Sequence, residues 1–214
     1  MKRILILVST IALFNLAKAQ TGQTTFGFKA GVNFQNLTGH DVDGYKLNNR
    51  LKAGLSLGAN AQIPIATDFY LQPGLEFNQK GAKSSDGLYT TTVNYIDVPV
   101  SFVYKPMVGI GHLILGAGPY VGFGVGGHVS DGTTNTQVIF QNQVNPNDAN
   151  SGYPYFRRVD AGFDLLAGYE LTNRVSFLLN AQLGLTKVNP SVIGYPDNSA
   201  AKNSGFGFSV GYRF

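Results

Sequence analysis

The chain has 214 residues, a formal net charge of +4, no cysteine, no tryptophan, 27 glycines and only 13% charged residues. An ordinary soluble domain carries about 25% charged residues, so this chain has roughly half the charge that wets a globular surface, yet its mean hydropathy is zero. Lack of cysteine excludes a disulfide framework, thiolate zinc sites, a cysteine nucleophile and a lipoprotein anchor, and the length suits one domain or at most two small ones.

Lys2 and Arg3 form a short basic head, residues 4–16 are an almost unbroken apolar run, and Ala17-Lys18-Ala19 is an A-x-A site before Gln20. This pattern predicts a secretory signal peptide over residues 1–19, cleaved between Ala19 and Gln20 and too short to span a membrane as a helix. Residues 20–214 are then a single domain. The segment 1–19 holds three basic residues and no acid, so the 16 basic residues fall to 13 against 12 acidic ones. A nearly neutral chain gives nucleic-acid binding through a basic patch no support.

Beyond residue 20 the recurring pattern is period two, that of a strand with one apolar face. The first segment sets Phe26, Phe28, Ala30, Val32 and Phe34 against Gly27, Lys29, Gly31 and Asn33. The second sets Leu51, Ala53, Leu55, Leu57, Ala59, Ala61 and Ile63 against Lys52, Gly54, Ser56 and Gln62. The third places Phe69, Leu71, Leu75 and Phe77 opposite Gln72, Gly74 and Glu76; the fourth places Ile96, Val98, Val100, Phe102 and Tyr104 opposite Tyr95, Asp97, Pro99 and Ser101. Leu113 to Val125 and Val159 to Tyr169 repeat the pattern, with Gly116, Gly118, Gly122 and Gly124 on one polar face and Arg158, Asp160 and Asp164 on the other. The seventh runs from Val175 to Leu185, and the eighth carries Phe206, Phe208, Val210, Tyr212 and Phe214.

Eight such segments predict an all-β fold, an eight-stranded antiparallel transmembrane up-and-down β-barrel. Connections alternate between short (64–67, 106–110, 171–174) and long (37–49, 84–90, 127–155, 188–203), as periplasmic turns and extracellular loops do in outer-membrane barrels. The even strand number puts both termini at the short-turn end. A lipocalin-like soluble barrel would bury the apolar face around a ligand and expose the polar one. That polar face is Gly, Asn, Gln and Ser with scattered charge, a poor soluble surface but a suitable narrow lumen. The apolar face carries almost no charge, as lipid contact demands, and its aromatics gather near strand ends. Pro73, Pro99 and Pro119 fall inside strands, where each lacks a ladder donor, so bulges or skipped hydrogen bonds are expected there.

The stretches GFKAGVNFQNL (27–37), YLQPGLEFNQKG (70–81), YIDVPVSFVYK (95–105), GAGPYVGFGVGG (116–127) and GFGFSVGYRF (205–214) resemble the PorT-like outer-membrane β-barrel family of the Bacteroidota over essentially the whole chain after residue 19. The resemblance implies an integral outer-membrane protein; some members are linked to secretion of cargo proteins or to gliding, and most have no assigned role. The expected role is structural or partner-binding, accessory to secretion or the cell envelope, with the termini at the short-turn end periplasmic. The resemblance carries over no catalytic residue. The strand ending in Phe206, Phe208, Val210, Tyr212 and Phe214 resembles the insertion signal read by the barrel-assembly machinery.

The inward parity collects Lys29, Lys52, Lys80, Arg158 and Arg213 with Glu76, Asp97, Asp160, Asp164 and Glu170. In a lumen just wide enough for side chains, these predict a plug of ion pairs and amides. A charged pathway for a small solute is the rival. No helix follows the glycines of 116–124, so they form no phosphate loop, and His40, His112 and His128 are too dispersed for a local metal motif. The pair His128 and Ser130 superficially resembles a lipid-A deacylase site, but parity sends it to the lumen or the loop, away from a lipid substrate. No enzyme activity, cofactor, metal or nucleic acid is expected. The expected partners are outer-membrane lipid, the assembly machinery, and an envelope or secretion protein at the loop 127–155.

Overall fold

Eight long strands organise the computed structural model, which describes residues 22–147, 153–195 and 198–214. They are β1 (Thr25–His40), β2 (Lys52–Ala66), β3 (Phe69–Lys83), β4 (Thr90–Tyr104), β5 (Gly111–Ser130), β6 (Val159–Glu170), β7 (Val175–Gly184) and β8 (Ala200–Arg213). Each pairs antiparallel with its neighbours in sequence, and β8 pairs with β1, closing the sheet. Closure leaves no edge whose backbone groups would meet hydrocarbon unpaired. The predicted eight-stranded antiparallel up-and-down barrel is therefore the fold. The predicted signal peptide 1–19, with Ala19 and Gln20, lies outside the described residues.

The faces follow the predicted parity. Phe26, Phe28, Leu55, Leu57, Leu75, Phe102, Phe123, Phe177, Phe206, Phe208 and Phe214 are exposed on the outside, while Asn33, Gln35, Asn78, Lys80, Asp97, Asp160 and Asn203 are buried in the lumen. Aromatic pairs tie adjacent strands on the outer face: Phe34 stacks on Phe206 at 5.4 Å and Phe69 on Tyr104 at 4.7 Å between ring centroids. Every strand has the 9–11 residues that a tilted transmembrane strand needs, and several run well past it at the long-loop end.

Each short turn contains one left-handed residue: Asp68 (φ 62°), Gly109 (φ 65°) and Arg174 (φ 68°). Such backbone suits the tight reversals that join twisted strands. The prolines behave as their missing donor requires. Continuous pairing stops for two residues beside Pro73 on the β2 side, beside Pro99 on the β3 side and beside Pro119 on the β4 side, and resumes in the same register. The register shifts fall elsewhere. One adds Val125 to β5 between Gly124, which faces Tyr95, and Gly126, which faces Asn94. A one-residue slip inverts the alternation beyond it, so the parity that sent His128 and Ser130 inward does not hold above this bulge.

Above the barrel the long segment after β5 folds back as a hairpin, Asn135–Gln137 pairing with 128–130. Ile139–Phe140 then pairs parallel with Tyr155–Phe156, and Gln143–Val144 with Ser191–Val192.

Candidate functional site

The lumen is where the fold gathers the chemically active side chains, and it is arranged in tiers. Nearest the short turns, Lys105 Nζ lies 2.7 Å from Glu170 Oε1 and donates to Gln62 Oε1 at 3.3 Å. Arg213 Nε lies 3.6 Å from Glu170 Oε2, and the Arg213 guanidinium donates to Asn60 Oδ1 at 3.0 Å. Higher up, Lys29 Nζ meets Glu76 Oε1 at 2.7 Å, across the gap left by Gly58.

The next tier is fully enclosed. Lys80 Nζ sits 3.0 Å from Asp97 Oδ2 and 2.9 Å from Asp160 Oδ2, with all three side chains at most 1% exposed. Asn78 and Gln182 donate to Asp97 Oδ2, and Asn203 and the Tyr120 hydroxyl donate to Asp160 Oδ2. The ammonium also lies over the Tyr120 ring, 4.4 Å from its centroid, and 5.1 Å from that of Tyr95. Buried charge is tolerated only where opposite charge and hydrogen bonds replace water; here two carboxylates and two ring faces surround one ammonium, and neutral donors satisfy the carboxylates. Glycine makes the room: a Cβ on Gly122 would collide with Asp97, and one on Gly162 would lie 2.8 Å from the Tyr120 ring.

An apolar cap closes the tiers at the loop end. Inward-facing Leu37, Ala82 and Ala201 pack with Val188 and Phe156, which come down from the loops. Phe140 covers lumen-facing Gly124, where a Cβ would strike its ring. Between the tiers, the enclosed voids lined by Lys29, Asn60 and Gln72 hold about 20 Å³ each, roughly the space of a single water.

Of the predicted plug residues, Lys29, Glu76, Lys80, Asp97, Asp160, Glu170 and Arg213 meet as ion pairs. Lys52 is buried but donates only to the Ala53 carbonyl, at 3.2 Å, and meets no carboxylate among the described residues. Asp164 faces the lumen with Oδ1 accepting no hydrogen bond. Arg158 is a correction: it lies outside the plug, exposed above the barrel mouth with its guanidinium 5.2 Å from the Phe140 centroid. It lies one residue before β6, its carbonyl accepting from Gly124 N at 2.7 Å, so it keeps the side that parity gives but sits too near the loop end to be enclosed. Sequence reasoning missed Lys105, just beyond β4. Its parity with Asp97 and Ser101 was the available signal.

The residues predicted to form the insertion signal, Phe206, Phe208, Val210, Tyr212 and Phe214, are all exposed on the outer face. The deacylase-like pair does not assemble: Ser130 Oγ accepts from Gly132 N at 3.3 Å, and Asp131 Oδ1 is taken by Thr133 and Thr134. Among the described residues no three His, Asp or Glu side chains converge as metal ligands.

Residues 18–189 match the model of the outer membrane protein beta-barrel domain family, which covers most of the chain. The chain belongs to that family. No curated protein matches it. Among solved structures, the Ail attachment invasion locus protein of Yersinia pestis is 14% identical, with 90% of this chain and 100% of that chain covered and a TM-score of 0.43. Neisserial surface protein A is also 14% identical over the same shares, with a TM-score of 0.49. A major outer membrane protein from Thermus thermophilus is 12% identical, again over 90% and 100%, with a TM-score of 0.47.

Proposed function

We propose that this protein is a non-conducting outer-membrane barrel of the PorT-like group. In this reading its role is structural or partner-binding, accessory to secretion or to the cell envelope. The observation that carries it is the lumen: the Lys80–Asp97–Asp160 tier and the cap of Leu37, Ala82, Val188 and Phe156 fill it among the described residues, and the voids lined by Lys29, Asn60 and Gln72 hold about 20 Å³ each. A barrel so filled works through what it displays and not through what it passes. Family membership supports the outer-membrane location.

The signal peptide 1–19 is removed, both termini lie in the periplasm, and the aromatic β8 strand is read by the assembly machinery during insertion. The loop 127–155 then faces outward as the contact surface for an envelope or secretion protein. Loops held on a rigid scaffold are the usual carriers of such contacts. The protein is not an enzyme in this reading.

Two measurements test it. In a planar bilayer the purified barrel is expected to give no steady conductance; regular open-channel steps would replace this reading with a solute channel. Deleting the gene and comparing secreted and surface proteins is expected to change their composition, and an unchanged profile would remove the accessory role.

A further inference from the structure

Four strands align one row of side chains across the lumen. Asp164 of β6 is opposite Gln182 of β7, Gln182 is opposite Gly205 of β8, and Gly205 is opposite Gln35 of β1. Gly205 has no side chain, and a Cβ there would lie 2.8 Å from both Cδ and Oε1 of Gln35. The Gln35 amide therefore lies across the glycine. Asp164, Gln182 and Gln35 all line the void of about 20 Å³ in mid-lumen.

Three buried oxygens belong to these residues, Asp164 Oδ1, Gln182 Oε1 and Gln35 Oε1, and none accepts a hydrogen bond. Gln35 is 1% exposed and Gln182 3%. The orientation of Gln182 is set by its neighbour: Nε2 donates to Asp97 Oδ2 at 3.4 Å, which leaves Oε1 as the atom without a partner. The same logic runs through the next row. Asn78 donates to Asp97, so its oxygen receives Asn33 Nδ2, and Asn33 Oδ1 is left as a further acceptor. The amide donors of Asn78, Gln182 and Asn203 are spent on the carboxylates, and amide oxygens are left over. An unsatisfied buried acceptor is costly.

Charge points the same way. Mid-lumen holds Glu76, Asp97, Asp160 and Asp164 against only Lys29 and Lys80, whose ammonium groups are engaged by Glu76 and by Asp97 and Asp160. Mid-lumen carboxyls thus outnumber ammonium groups by two, and Asp164 has no ammonium of its own, in a confined space where charge is weakly screened.

We propose that Asp164, Gln182 and Gln35 bind one small monovalent cation, of the sodium or potassium kind, inside the barrel. A water has two protons for three acceptors and brings no charge. A calcium-like ion needs six to eight oxygens, several of them carboxylate, and only one carboxylate is present in this row. Transition metals prefer imidazole or thiolate, which the row lacks. The cation acts as a structural counter-ion that joins β6, β7 and β1 across Gly205. This holds whether or not the barrel conducts, so its failure would leave the non-conducting reading to stand or fall on conductance alone.

The test is unfolding of the refolded barrel at fixed ionic strength, in sodium or potassium chloride and in N-methylglucamine chloride. The expected result is a midpoint a few degrees higher in the small cation, rising saturably with its concentration. That difference is expected to vanish in Asp164→Asn and to shrink in Gln35→Leu, which keeps the lumen's charge unchanged should Asp164→Asn fold poorly. A rubidium or thallium soak is expected to place an anomalous peak between the three oxygens. Equal midpoints in all three salts, or stability that rises with acid and shows no cation preference, would overturn the proposal. So would a soaked crystal with no anomalous peak there.

Discussion

Lys80 Nζ lies 2.9 Å from Asp160 Oδ2, joining β3 to β6 through the closed lumen between residues 80 positions apart. With Asp97 3.0 Å away on β4, a single ammonium holds three strands of the barrel wall. Replacing Lys80 by Met leaves two buried carboxylates without their cation. A loss of about 3–5 kcal/mol is expected, read as a lower urea midpoint in detergent or vesicles. Adding Asp97→Asn and Asp160→Asn to Lys80→Met is expected to restore much of that loss, because no charge is then left uncompensated.

The outer face obeys a different rule. Leu57 is exposed, sits opposite Ala30 well inside its strand, and has only lipid to meet. Leu57→Arg is expected to cost about 2–4 kcal/mol, as a cation near the bilayer midplane does. The share of barrel that resists unfolding on an unboiled gel after refolding into vesicles measures it. Leu57→Phe should refold like the parent.

Room in the wall is local. A Cβ on Gly118 would run into the Val100 carbonyl and lie 2.7 Å from Ser101 Cα, both backbone, whereas one on Gly126 meets nothing within 4 Å. Gly118→Ala should lower stability by about 1–3 kcal/mol, the usual range for overpacking, and reduce refolding yield. Gly126→Ala should leave both unchanged.

The hairpin tip above β5 is held by a carboxylate. Asp131 Oδ1 accepts from Thr134 N, Thr133 N and Thr133 Oγ1. The Thr134 amide first, then Thr133, holds the Asp131 carboxyl below its ordinary value. A carboxyl lowered in the folded turn supports that turn above its unfolded pKa, about 3.9, and the support is lost as pH falls through the lower, folded value. Amide exchange at Thr133 and Thr134, relative to the intrinsic rate at each pH, should stay slow at pH 5 and quicken in stronger acid. In Asp131→Ala it should be fast throughout.

How much the sequence revealed differs between the face a residue takes and the neighbour it meets. Lipid on one side and a narrow lumen on the other force period two, so Phe28, Leu57 and Phe208 announce their outward side, and Lys29, Asp97 and Arg213 their inward one. Which inward groups meet depends on the stagger of strands around the closed sheet, and alternation carries no record of it. Hence Lys52 sits without an acid, while Lys105, a residue past its strand, takes Glu170. Arg158 shows the other limit, for parity gives a residue's side and not its depth in the barrel. The bulge at Val125 is a one-residue event with no signature in an alternating, glycine-rich run. The parallel pairing of Ile139–Phe140 with Tyr155–Phe156 joins two parts of one long connection, and that of Gln143–Val144 with Ser191–Val192 joins two different ones, which local pattern does not encode.

All 14 residues of β8 pair with β1 without a skip, from Gly27 opposite Arg213 to His40 opposite Ala200, whereas the joints on either side of β3 and β4 are each broken beside a proline. The longest unbroken joint is thus the one between the two ends of the chain. A cylinder fastened there cannot shut until its final strand has been made, and afterwards that fastening is the last to part. When the wall gives way under load, it should tear on the proline side, leaving first and last strands still zipped together.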